Sequence, residues 1–66
     1  MLKITVVRKQ KGLTQSELSK MTGIPKPQIS AIENRRVYAW KGWQKRIADA
    51  LGWMGEPSEL FEDVEV

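Results

Sequence analysis

Glycine and proline set the first limit on this chain. Gly12, Gly23, Pro25, Pro27, Gly42, Gly52, Gly55 and Pro57 divide it into segments of roughly 8–12 residues, a length that suits short helices and very short turns. No segment repeats, none is of low complexity, and no linker is long enough to separate two domains. A single small domain over residues 1–66 is expected, with a core that supplies only a few kcal/mol of net stability.

The clearest local signal begins at Leu13. Thr14 followed three residues later by Glu17 is a capping box, in which the Thr hydroxyl accepts from the Glu17 amide and the Glu carboxylate reaches back. Leu13 and Leu18 then stand where a hydrophobic staple forms, and Leu18 with Met21 makes an i,i+3 apolar stripe. Gly23 ends the segment in the left-handed region, which predicts a helix over 14–21 or 14–22.

A second helix starts near Pro25, because a proline in a first turn lacks only an amide that has no partner there. Ile29 and Ile32 share one face with Ile24 beside them, while Pro27, Ser30, Ala31 and Asn34 lie opposite, flanked by Lys26, Gln28 and Arg35. That opposite face is small, polar and edged with positive charge. A further helix, 41–51, carries Trp43, Ile47, Ala50 and Leu51 on one side and ends at Gly52. Residues 2–11 read either as a helix, with Ile4, Val7 and Lys11 in register, or as a strand through Ile4-Thr5-Val6-Val7. Ser58 to Phe61 reads as one acidic-capped turn, and residues 62–66 are expected to fray.

Charge is divided along the chain. Residues 1–46 hold all eleven Lys and Arg against Glu17 and Glu33, a net of +9, whereas residues 47–66 hold six acidic residues and no basic one, a net of −6. A basic portion of that kind points to nucleic acid or another anionic partner. Without Cys or His, disulfides, thiol chemistry, Cys/His zinc sites and His-dependent nucleophilic catalysis are excluded. No acid–base pair is placed for catalysis, so no enzyme, cofactor or metal site is expected. No apolar run approaches the length of a membrane span or a signal-peptide core.

Two short helices joined by a tight turn around a Gly have the outline of a helix-turn-helix. The blocks Arg8-Lys9-Gln10-Lys11-Gly12-Leu13-Thr14-Gln15-Ser16-Glu17-Leu18, Thr22-Gly23-Ile24 and Ile29-Ser30-Ala31-Ile32-Glu33-Asn34 resemble the phage repressor and Cro-type helix-turn-helix family. Ile47-Ala48-Asp49-Ala50-Leu51-Gly52 and Glu59-Leu60-Phe61 look like that family's fourth and fifth helices. The resemblance covers about residues 3–61. It implies an all-α, lambda-repressor-like domain of five short helices, with residues 2–11 as helix 1 and the motif over about 14–34. The third helix would lie in a major groove with its N-terminal side chains at the base edges.

The resemblance also assigns roles. Lys26, Pro27, Gln28 and Ala31 match base-reading positions. Gln15 matches the residue that opens helix 2 against a phosphate, and Arg35 and Arg36 leave the end of helix 3, where the family meets the backbone. Ser30 and Asn34, on the small polar face, and Lys41, in the basic segment beyond it, are further candidates for backbone contact. Arg8 and Glu33 match an ion pair that ties helix 1 to helix 3. The chain departs from the family where Pro25 replaces the usual Ser or Thr cap of helix 3 and Pro27 follows. Neither Pro27 nor Ala31 has a polar side chain, so strong readout rests on Lys26 toward guanine acceptors and Gln28 toward adenine. Each such contact discriminates by roughly 1–3 kcal/mol. The segment Arg35-Arg36-Val37-Tyr38-Ala39-Trp40-Lys41 also departs, being richer in cations and aromatics.

The expected function is sequence-specific binding of a double-stranded DNA operator by a cytoplasmic homodimer that regulates transcription, without a small-molecule ligand. Neutralising roughly 4–6 phosphates per protomer would make binding fall steeply with salt. Trp40 and Trp53, at segment ends, close the core or anchor a dimer interface. The acidic C-terminal region is a solubilising surface turned from DNA or a face for a protein partner. The alternative from another class is a protein-interaction module, antitoxin-like or acting on another regulator, with weak or no DNA binding.

Overall fold

The structure, a computed structural model, describes residues 1–65 as α1 (Lys3–Gln10), α2 (Gln15–Thr22), α3 (Lys26–Glu33), α4 (Lys41–Leu51) and a 3-10 helix (Pro57–Phe61). The expected all-α architecture is met, with four α-helices. The fifth element is a 3-10 turn: Pro57 opens it, Glu59 N–H donates to Glu56 C=O at 3.0 Å, and its first residue has no side-chain cap.

Burial overrides local propensity in α1. Ile4 and Val7 stack on the buried face with Thr5 and Arg8, so the β-branched run folds as a helix. Where the chain ends meet, the backbone is extended in an antiparallel bridge between Leu2 and Asp63. The segment expected to fray thus begins with Glu62 C=O accepting from Lys3 N–H, followed by Val64 N–H donating to Met1 C=O, both at 2.9 Å. That expectation also reaches residue 66, which lies outside the described residues.

Both halves of the capping box form at α2: Glu17 N–H donates to Thr14 Oγ1 at 3.0 Å, and Thr14 N–H to Glu17 Oε1 at 2.9 Å. Leu18 is buried as expected, but Met21 is 53% exposed. Thr22 takes the place on the buried face, because its hydroxyl donates to Leu18 C=O at 2.8 Å and is satisfied there. The same oxygen accepts from Ile24 N–H at 3.2 Å, and Ser19 Oγ donates to Ile24 C=O. With Gly23 at φ +75°, these bonds set the three-residue turn into α3.

Every element contributes to the core. Ile4, Leu18, Ile24, Ile29, Ile47, Leu51 and Leu60 are all 2% exposed or less, and each such side chain stabilises the fold by about 1.5–3 kcal/mol relative to exposure. In α4, Gln44 is buried without penalty, since its amide donates to Ala39 C=O at 2.9 Å. Trp43, Ala50 and Trp53 are half-buried against the core, whereas Trp40 is 60% exposed with its indole lying over Gly42, where a Cβ would collide with the ring. Among the described residues, no helix is long and apolar enough to cross a membrane.

Candidate nucleic-acid interface

The outer face of α3 is presented by the burial of its inner one. Ile29 and Ile32 are inserted in the core, which leaves Lys26 and Pro27 exposed and Gln28, Ser30 and Ala31 half-buried on the other side. The N-terminus of α3 has no side-chain cap. It does not require one, because Pro25 and Pro27 have no amide and Gln28 N–H donates to Pro25 C=O at 2.9 Å. The four base-reading candidates Lys26, Pro27, Gln28 and Ala31 therefore share one open surface on a helix held by its buried side.

The C-terminal end of α3 is closed by backbone bonds. Arg36 N–H donates to Ala31 C=O at 2.8 Å and Arg35 N–H to Ile32 C=O at 3.1 Å, the pairing of a Schellman motif. The left-handed position is occupied by Arg35 at φ +62°, where glycine is the usual residue. Asn34 Nδ2 donates to Ser30 Oγ at 3.3 Å along the same helix edge. Arg35 and Arg36 are exposed directly beyond it.

Behind this face, Arg8 Nε and Nη2 donate to the two Glu33 carboxylate oxygens at 2.9 and 3.0 Å, and Arg8 Nη1 donates to Leu13 C=O at 2.8 Å. Gln15 Nε2 adds a bond to Glu33 Oε1 at 3.2 Å. Arg8, Gln15 and Glu33 are thus one network that joins α1, the start of α2 and the end of α3. Gln15 is half-buried within it, which commits one of its donors inside the protein.

A polar groove of about 530 Å³ runs beside that network, with Thr5, Lys9, Gln15, Asn34 and Arg35 among its walls. Lys9 is an addition to the phosphate-contact candidates read from the sequence; its sharing a helical face with Thr5, four residues earlier, is the local signal for its place here. Lys41 does not line this groove. It opens α4 and lines a separate cleft with Gln44, Glu56, Pro57 and Ser58.

Electrostatically, Lys26, Arg35 and Arg36 stand exposed at the two ends of α3, and the acidic segment reaches its C-terminal end. Asp63, from the acidic segment, forms an ion pair with Arg35. Nothing in the local sequence signals it, because the contact depends on the pairing of the two chain ends at Leu2 and Asp63. Glu17 is held below its usual range, first by the Thr14 backbone N–H, then by the Thr14 hydroxyl, with Lys20 adding a smaller pull.

The helix-turn-helix family model matches residues 6–38, half of the chain, from within α1 through α2 and α3 to the loop beyond. No curated protein and no solved structure matches the chain. An uncapped but proline-bounded α3, a three-residue turn fastened to α2 and a basic rim all fall within the matched span. The chain belongs to the helix-turn-helix family of the phage-repressor and Cro type, a family of DNA-binding rather than enzymatic domains.

Proposed function

We propose that this lambda-repressor-like domain is a sequence-specific transcriptional regulator of bacterial or phage type, acting in the cytoplasm by occupying its operator. The observation that carries this reading is the outer face of α3: Lys26 and Pro27 exposed, Gln28, Ser30 and Ala31 half-buried, and cations at both ends. With α2 and α3 as the reading unit, Lys26 and Gln28 supply polar base contacts, while Pro27 and Ala31 supply shape and contact with thymine methyls. Gln15, Ser30, Asn34, Arg35, Arg36 and Lys41 contact the backbone and set register.

A homodimer on inverted half-sites suits the size of the domain. Recognition helices in successive major grooves are about 34 Å apart, and a body of 26 × 24 × 22 Å reaches that spacing when two copies abut. Exposed Val37 and Tyr38 line, with Leu2 and Phe61, a cleft of about 210 Å³, and Trp40 is exposed two residues further on, surface of the kind dimers cover. Regulation then follows protein concentration or a competing partner. Selection from a pool of random duplexes tests the reading. Recovery of one sequence with inverted half-sites supports it, and salt-insensitive indifference to every duplex overturns it in favour of a protein-interaction module.

A further inference from the structure

The chain ends are joined beside the exit of α3. The Leu2–Asp63 bridge is flanked by Lys3 N–H to Glu62 C=O and Val64 N–H to Met1 C=O, each 2.9 Å, so backbone is held on both sides of Asp63. Its carboxylate Oδ1 meets the Arg35 guanidinium and, 3.6 Å away, the Met1 ammonium. Arg35 is fixed from the opposite direction by its left-handed conformation and the Schellman bonds around it.

Surface ion pairs usually contribute little, because ordering two mobile side chains offsets their attraction. Here both backbones are already in place and one partner is a short Asp, so the ordering falls mainly on the Arg35 rotamers. The guanidinium fork that accommodates a carboxylate is the same set of donors that binds a phosphate, and the two anions exclude one another.

We infer that Asp63 is an intramolecular competitor for the DNA phosphate that Arg35 would bind, and that it lowers the affinity of the domain for duplex DNA of any sequence. The inference rests on the DNA-binding reading above. Its effect falls on backbone attraction, which every sequence shares, so base contacts through Lys26 and Gln28 keep a larger share of the total.

The test measures binding of the whole chain to one mixed-sequence duplex across a salt series. Asp63→Asn keeps the backbone bridge and removes the carboxylate charge; circular dichroism checks that helix content is retained. It should tighten binding about twofold to fivefold at low salt and steepen the slope of log K against log salt by about 0.9, one added phosphate contact. Glu62→Gln, the same charge change one residue away, should give less than half that gain. Asp63→Asn in an Arg35→Ala background should give none.

An equal gain from Glu62→Gln, or a gain that persists without Arg35, would reduce Asp63 to bulk charge and overturn the inference. Equal slopes for the wild type and Asp63→Asn, with binding intact, overturn the inference alone. Failure of every variant to bind any duplex at low salt removes the DNA-binding reading and the inference together.

Discussion

Arg8 and Glu33, twenty-five residues apart, face each other through two parallel N–H···O bonds with side chains only 9% and 5% exposed. This geometry fixes the angle between α1 and α3, and so the attitude of the reading face. Breaking one side of such a pair strands a buried charge. Glu33→Ala should destabilise the domain by about 3–5 kcal/mol, enough to unfold one of this size at room temperature. Replacing both partners with apolar residues, Arg8→Met with Glu33→Leu, should cost much less. Urea denaturation of the two variants distinguishes them, and equal losses would show that the stranded charge is not the cause.

The capping box at α2 makes part of the stability dependent on acid. Glu17 titrates below its usual range when folded, so its contribution is complete above the unfolded value and is lost as pH falls through the folded one. Glutamine can take the same position in the box without a charge to lose. Thermal melts of Glu17→Gln should therefore show less loss than wild type between about pH 5 and pH 3. Thr14→Ala should lower stability at neutral pH by about 1 kcal/mol. Parallel pH profiles for wild type and Glu17→Gln would argue against this linkage.

Arg35 combines an unfavourable conformation with a useful side chain. Left-handed backbone costs a non-glycine residue about 1–2 kcal/mol, so Arg35→Gly should be about 1 kcal/mol more stable than Arg35→Ala. Both variants should lose DNA affinity equally and for every sequence, because both lack the guanidinium. Denaturation midpoints and binding constants for the pair make the comparison; equal midpoints would place the strain elsewhere.

Base reading and backbone contact separate by their response to sequence. Gln28→Ala should relax preference at one operator position, at roughly 1–3 kcal/mol of discrimination. Arg36→Ala should weaken all duplexes alike and flatten the salt dependence by about one phosphate. Selection experiments on both variants decide the matter, and uniform weakening by Gln28→Ala would remove it from the reading set.

Legibility in the sequence followed the range of the interaction. Thr14 and Glu17 are three residues apart and declare their bond directly. Gly23 and Gly52 likewise mark helix ends that the structure places in the left-handed region. The Arg8–Glu33 pair joins residues twenty-five apart and is legible only through resemblance. Met21 and Thr22 show where periodicity misleads, because a satisfied hydroxyl made the polar residue the better one to bury. Asp63 lay beyond any local rule: its role depends on how two chain ends pair after the helices have packed.

The prolines around Lys26 have a consequence for how such a domain changes over generations. Because Pro25 and Pro27 start α3 without a polar cap, the side chains at its tip hold no structural bond that a replacement would break. Lys26 and Gln28 are then interchangeable with other residues at little cost to folding, while Ile29 and Ile32 keep the helix seated. On the base-reading role proposed for Lys26 and Gln28, a lineage carrying this helix start acquires a new operator by altering its tip alone.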